Sequence, residues 1–383
     1  MRIALIGPVY PYRGGIAHYT TMLCKTLRGH GHDVLMVSFE RQYPGALFPG
    51  RSDKDPSRSP LVVRDARYWI DSLNPLTWLT TFLRIRRFCP GVIILQWWTS
   101  FWTPVWLALG AMNRMFLHSP IVYICHNVMP HETRLWDPIL ARAALRWGTR
   151  FVVQSTEEEA RLETLISDAQ IDIVRHPIYD MFVEKRMGKT QAREELGLPV
   201  DLPVLLFFGI VREYKGLYDL LAALPRIEAR LGGVKLLVAG EFWDDRRTYE
   251  EAIDRLDIGD LVVLEDRYIP NEQVPIYFSA ADVLVAPYRR ATGSGAVQMA
   301  LGLDCPVITT RVGELDEVIE DGSDGLATEP ANSQALAEDI VKYFEEGKKR
   351  STRRMKKSEE VSGWDKLVTV IKSVGATCES SSC

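Results

Sequence analysis

Two cations, Arg212 and Lys215, stand three residues apart in FFGIVREYKGLYDLL, directly after a buried apolar run and at the opening of a helical pattern. An arginine can grip two oxygens at once, and a helix N-terminus favours an anion, so the pair reads as a diphosphate trap. A second cluster lies in 287–308, PYRRATGSGAVQMALGLDCPVI. There Thr292, Ser294 and Gly295 open a helix and offer hydroxyls and backbone amides to a phosphate. The plainer alternative is a tight turn with Ser294 as an ordinary N-cap. Arg289 and Arg290 either add charge nearby or face solvent. In CHNVMPHE, His126 and Asn127 sit where a strand releases the chain, followed by His131 and Glu132. A metal centre on His126, His131 and Glu132 is not expected, because the spacing is irregular and Pro130 breaks any shared helical face. Gly14 and Gly15, in PVYPYRGGIAHYT, let backbone approach a ligand at another helix start. GEFWDD, with Glu241, and EDRYIPNEQ, with Arg267 and Tyr268, are loops fit to edge a base or a sugar.

These clusters share one placement: each follows a short apolar run. RIALIG, DVLMVSF, VIILQ, IVYIC, FVVQS and IDIVR form one set of predicted strands, and VLLFFG, KLLVAG, LVVLED, DVLVAP, CPVITT and GLATE a second. Helical patterns lie between them. Runs buried on both faces and joined by helices imply parallel sheets. The break near 176–200 predicts two doubly wound α/β domains, 1–180 and 181–360, then a helix over 361–375 and a Ser-rich disordered tail, 376–383. In such sheets ligands bind beyond the carboxyl ends of the strands, which is where the candidates stand.

The 383 residues carry a net charge of −4, which gives no reason to expect nucleic acid as a partner. Residues 1–180 nevertheless hold 20 Lys and Arg against 15 Asp and Glu, while the remainder holds 26 against 35. This surplus reads as scattered solvated charge, with an anionic partner on that side as the alternative. MRIALIGPVYPYRGG lacks the pattern of a secretory signal, and Cys24, Cys89, Cys125 and Cys305 lack CxxC spacing, so reduced thiols in a cytoplasmic protein are expected. The run 92–112, VIILQWWTSFWTPVWLALGAM, is uncharged and long enough to span a bilayer on paper. Gln96, Thr99, Ser100, Thr103 and Pro104 interrupt it, so a strand over 92–96, an aromatic loop and a helix from about Pro104 to Leu117 are expected instead. Eight of ten tryptophans fall between Trp69 and Trp147. Trp97, Trp98, Trp102 and Trp106, with Arg84, Arg86 and Arg87, have two readings: aromatics of the core, or a peripheral contact with the inner face of an anionic membrane.

Taken together, GxxxRxYKG, LVAGE, YIPNEQVPIYFSAADVLVAPY and SG…CPVITTRVGELDEVIEDGSDGL resemble the retaining family-4 glycosyltransferases of the GT-B fold, over about residues 1–372. The resemblance implies two Rossmann-like doubly wound parallel-sheet domains facing across a cleft. It implies a nucleotide-diphosphate sugar as donor and co-substrate, with no cofactor. It places Arg212 and Lys215 on the diphosphate beside Ser294, Gly295 and Thr292, with Glu241 on the donor side and backbone near Arg267 and Tyr268 on the base. Gly15 approaches the phosphates, His126 contacts the transferring sugar, and Gly14, Asn127 and His131 belong to the acceptor side. The last helix, with Trp364, crosses back to the N-terminal domain. One departure stands out. Where many relatives carry two glutamates, this chain has Ala291 and Met299, as in a subgroup with ATxSG in that loop.

The expected chemistry is metal-independent sugar transfer to a hydroxyl of a glycan or lipid-linked acceptor, with retention of configuration, in cell-surface polysaccharide or glycolipid biosynthesis. Arg212, Lys215 and the helix after Ser294 stabilise the departing diphosphate, and His126 orients rather than acting as base. Two alternatives stand beside this reading: a nucleotide-sugar epimerase on the same fold, and a non-catalytic nucleotide-sugar-binding scaffold.

Overall fold

The computed structural model describes residues 1–45, 48–130, 134–318, 325–346 and 363–379. The chain divides into two compact units. Unit 1 comprises Met1–Asp55, Pro60–Arg175 and Val361–Cys383; unit 2 comprises Pro56–Ser59 and His176–Glu360.

Unit 1 carries strands β1 (Arg2–Ile6), β2 (Asp33–Arg41), β3 (Arg67–Asp71), β4 (Val92–Trp97), β5 (Ile121–Cys125), β6 (Arg150–Val153) and β7 (Ile171–Ile173). They pair in parallel in the order β3-β2-β1-β4-β5-β6-β7. Its helices are α1 (Gly15–Gly29), α2 (Pro75–Phe88), α3 (Thr103–Phe116), α4 (Asp137–Leu145) and α5 (Thr156–Leu165). The sheet is covered on both faces, which explains why its central strands lack polar alternation. Ile3 and Leu5 of β1 pack with Leu23 and Leu27 of α1, whereas Ala4 and Ile6 pack with Phe82, Trp106 and Ala141 from α2, α3 and α4.

Unit 2 carries α6 (Lys189–Glu195), β8 (Val204–Phe208), α7 (Leu217–Leu231), β9 (Lys235–Ala239), α8 (Arg246–Arg255), β10 (Val262–Glu265), α9 (Val274–Ala280) and β11 (Val283–Ala286). After these come α10 (Gly295–Gly302), β12 (Val307–Thr310), α11 (Glu314–Val318), β13 (Gly325–Thr328) and α12 (Ser333–Glu345). Its sheet is also parallel, in the order β10-β9-β8-β11-β12-β13. Here too the faces alternate. Leu205 and Phe207 of β8 pack with α7, α8 and α12, while Val204 and Leu206 pack with α6, α9 and α10.

The final helix α13 (Gly363–Glu379) packs on α1 and β4 of unit 1. Trp364 lies 5.1 Å from the Tyr19 ring, and His30 Nε2 is 2.9 Å from Asp365. The helix runs past residue 375 into the stretch expected to be a tail; residues 380–383 lie outside the described residues.

Two sequence expectations need correction. Strand β3, RYWID, was not among those predicted. It is a short edge strand with charged and aromatic residues, mostly outside the core, so it lacks the apolar run that marks its neighbours. The aromatic segment is folded as expected, with strand β4 leading to helix α3, and among the described residues no helix is long and apolar enough to cross a membrane. Its tryptophans, however, do not form a surface. Trp97, Trp102 and Trp106 are 0% exposed and Trp98 is 9% exposed. Trp102 stacks on Trp106 with centroids 5.6 Å apart and on Phe39 at 4.2 Å, and Trp97 Nε1 donates to the Val128 carbonyl. Burial of each such ring between sheet and helices is worth about 1.5–3 kcal/mol or more, which outweighs any interfacial role.

Candidate functional site

In unit 2 the loops after β8 and β11 meet because those strands are neighbours. The chain leaves β8 through Gly209 and makes a 3-10 turn over Glu213–Lys215 before α7. Gly216 links turn to helix at φ 68°, and a Cβ there would lie 1.9 Å from the Pro287 carbonyl oxygen. Only glycine allows this backbone approach between the two loops. Arg289 and Asp219 fasten the same junction by a two-pronged ion pair, both contacts at 2.8 Å. Arg289 thus clamps the loop to α7.

Lys215 points inward at this junction. Its Nζ lies 5.3 Å from the Tyr288 ring centre, and any side chain at Gly209 would begin 3.3 Å from that nitrogen. Desolvation lowers the Lys215 pKa, since burial penalises the ammonium form. The other end of Tyr288 is 3.1 Å, hydroxyl to hydroxyl, from Ser294, and burial pushes the Tyr288 phenol up to about 12. Tyr288 thus joins Lys215 to the start of α10. Ser294 accepts the Val297 N–H and caps that helix, so the N-cap reading of this serine holds. Thr292 is buried beside it, and a Cβ on Gly295 would meet only the Tyr179 ring, at 3.6 Å.

Arg212 stands on the other side of the 3-10 turn. It is half-buried, with Nε 3.6 Å from Asp244 Oδ1 and its guanidinium 5.8 Å from the Trp243 ring centre. The loops after β8 and β9 are joined here: Val211 N–H donates to Glu241 and Trp243 N–H to Val211. Glu241 is buried. Arg267, after β10, spends its guanidinium on Glu265, Gln273 and the Tyr277 hydroxyl, each within 2.9 Å.

In unit 1 the carboxyl ends of β1 and β5 carry the remaining candidates. Gly14 is the N-cap of α1 at φ 101°, and Gly15 opens the helix. One turn on, Tyr19 meets the His126 ring edge-on at 4.8 Å, so α1 and the β5 loop share this end of the sheet. His126 is buried, its N–H donates to the Trp97 carbonyl, and its Nε2 donates to Gln96 Oε1 at 2.6 Å. An amide oxygen only accepts, so Nε2 carries the proton in this contact. Asn127 follows, partly exposed, and the next turn is held by Glu158, whose buried carboxylate accepts the Val128 N–H. Burial raises the Glu158 pKa. His131 and Glu132 lie outside the described residues. Among those described, no group of three or more His, Cys, Asp and Glu is placed to hold a metal ion.

Sequence reasoning missed Gln96, Tyr288 and Tyr19 as members of these clusters. Gln96 had a signal: a lone amide inside an otherwise apolar, fully buried strand must find a partner. The two tyrosines had none.

Comparison with known proteins agrees with this fold. Residues 14–176 match the glycosyl transferase 4-like domain, and residues 202–346 match glycosyl transferases group 1. The chain is 29% identical over 209 residues to a GDP-mannose:glycolipid 4-beta-D-mannosyltransferase of Xanthomonas campestris, covering 52% of this chain and 53% of that one. It is 27% identical over 295 residues to D-inositol 3-phosphate glycosyltransferase 1 of Catenulispora acidiphila, covering 70% of each. The chain thus matches about half the length of the first relative. The structure of Anabaena HepE in complex with UDP superposes with TM-score 0.70 at 16% identity, covering 99% of both chains. The fold is GT-B.

Proposed function

We propose that this chain is a retaining glycosyltransferase. It moves a sugar from a nucleotide-diphosphate sugar to a hydroxyl of a glycan or lipid-linked acceptor, in cell-surface polysaccharide or glycolipid biosynthesis. The observation that carries the reading is the junction of Lys215, Tyr288 and Ser294, where a desolvated ammonium and a helix N-terminus converge after two adjacent parallel strands. The glycosyltransferase domain matches and the glycolipid named for one relative support it.

In this reading the bond between the anomeric carbon and the donor diphosphate breaks, and a new bond forms to the acceptor oxygen. The acceptor proton passes to the leaving diphosphate. Lys215 and Arg212 neutralise the charge growing there, most effectively at Lys215, where water has already been displaced. Side-chain cations and the α10 N-terminus do this work, so the proposal is metal-independent. In unit 2, Thr292 and Gly295 serve the phosphates, and Glu241 and the backbone at Arg267 and Tyr268 the sugar and base; in unit 1, Gly15 is the donor-side residue. Gly14, Asn127 and His131 serve the acceptor. His126, with Nε2 committed to Gln96, orients the sugar.

The test is turnover of a nucleotide-sugar panel by the purified protein, with the product anomer read by NMR. Transfer with retention is expected. Epimerised donor without transfer, or no turnover of any donor, would overturn the reading.

A further inference from the structure

The helical layer α2–α3–α4 covers one face of the unit 1 sheet, and its outer surface is unusual in two respects. It exposes large apolar side chains in sequence-regular rows. On α2, Leu76, Leu79 and Leu83 lie on the outer face at i, i+3 and i+7, Leu76 being 72% exposed, while Phe82 and Ile85 of the same helix fill the core. At the start of α4, Leu135 is 94% and Ile139 71% exposed, flanking a half-exposed Trp136. These are not the tryptophans of the buried stack.

The second respect is charge. Across 75–88, 103–116 and 137–145 the only acidic residue is Asp137, which is buried and accepts hydrogen bonds from Ser100 and the Arg134 N–H. Arg84, Arg86, Arg87, Arg114 and Arg142 are all exposed. Arg134 and Arg146 add to them at the ends of α4, the Arg134 guanidinium lying 5.7 Å from the Trp136 ring centre. The adjoining helix α5, with Glu157 exposed and Glu159 partly exposed, shows that this balance belongs to the layer and not to the whole unit.

We propose that this layer is a docking surface for an anionic lipid bilayer, with the leucines, Trp136 and Ile139 entering the interface and the arginines resting on lipid phosphates. Leucine and tryptophan beside a snorkelling arginine suit the headgroup boundary, where apolar surface is buried without stripping the guanidinium of partners. A second copy of this chain fits the surface poorly. A symmetric interface would bring this uniformly basic patch against itself, and like charges would face each other. The surface belongs to unit 1 and the donor junction to unit 2, and vesicle binding is read without donor or turnover. It can therefore fail while the glycosyl-transfer reading survives, and the reverse.

The experiment is flotation of the full chain with vesicles of phosphatidylcholine and phosphatidylglycerol at 70:30, against phosphatidylcholine alone, at low and high salt. The protein should float with the anionic vesicles at low salt only. Arg134→Gln/Arg142→Gln/Arg146→Gln should lower partitioning on the order of a hundredfold, since each basic residue at an anionic surface contributes about fivefold. Leu76→Ser/Leu79→Ser/Leu83→Ser and Leu135→Ser/Ile139→Ser should each lower it at least about tenfold. Arg226→Gln/Arg230→Gln, removing exposed charges from α7, should leave it unchanged. Brominated lipid should quench a fluorescence component that Trp136→Phe removes. No flotation at low salt, or flotation that all three variants retain, overturns the proposal. So does a wild-type dimer in sedimentation velocity that Leu135→Ser/Ile139→Ser converts to monomer.

Discussion

Replacing Lys215 by methionine should separate what this side chain does for a ligand from what it costs the fold. Its ammonium is desolvated, lies over the Tyr288 ring, and has no carboxylate within ion-pair distance among the described residues. A partly buried, desolvated cation without a paired anion opposes folding, so a methionine of similar length should leave thermal stability unchanged or raise it. The linkage has a definite sign. Because the folded-state pKa is lowered, the cost is full below the folded-state value and is relieved as pH rises from there toward the ordinary lysine value. Wild type should therefore gain stability relative to Lys215→Met through the alkaline range. Donor binding should respond the opposite way. Loss of one charge-assisted contact to a diphosphate costs about 1.5–3 kcal/mol, or roughly 10- to 150-fold in Kd. Calorimetry with the nucleoside diphosphate that stabilises wild type most in a thermal-shift panel reads this directly; a ligand at a hundred times its Kd adds about 2.7 kcal/mol. A variant that loses stability yet binds the nucleotide normally would show Lys215 to be structural, and the diphosphate reading of the junction would fall with it.

His126→Ala should lower turnover on the order of a hundredfold or more with nucleotide affinity nearly intact, because its contact strengthens toward the transition state; unchanged turnover removes it from the site. Gln96→Leu should lower turnover as well and destabilise unit 1 by about 1–3 kcal/mol, since it strands the His126 Nε2–H; denaturant unfolding and steady-state rates check both. Ser294→Ala should cost about 1 kcal/mol of stability from the lost cap. Gly295→Val should fold, having only the Tyr179 ring to meet, but lose donor affinity in calorimetry; normal affinity there makes the loop a turn and no more. His176 is held down to about 4 by burial, so stability should fall by about 2–3 kcal/mol as pH drops from about 6.5 to about 4, and His176→Asn should flatten that part of the Tm–pH curve.

Much of the architecture was legible in the sequence because parallel strands covered on both faces leave continuous apolar runs, and VLLFF or IVYIC has no other economical reading. The same logic pointed to the residues after the strands, since chain topology alone puts those loops at one edge of a sheet. The limits were equally physical. Strand β3 escaped notice because an edge strand with its side chains mostly outside the core has no apolar run to advertise. The cluster at Lys215 needed Tyr288, 73 positions away, and only the pairing of β8 with β11 brings the two together. Gln96 acquires meaning only beside His126, across the β4–β5 register. The tryptophans give the sharpest contrast. Sequence fixes that they are many and near arginines, but whether a ring faces solvent or core depends on which helix covers which face of the sheet. That is decided by packing among segments distant in the chain: Trp97, Trp102 and Trp106 went to the core, and Leu76, Leu135 and Ile139 were left outside.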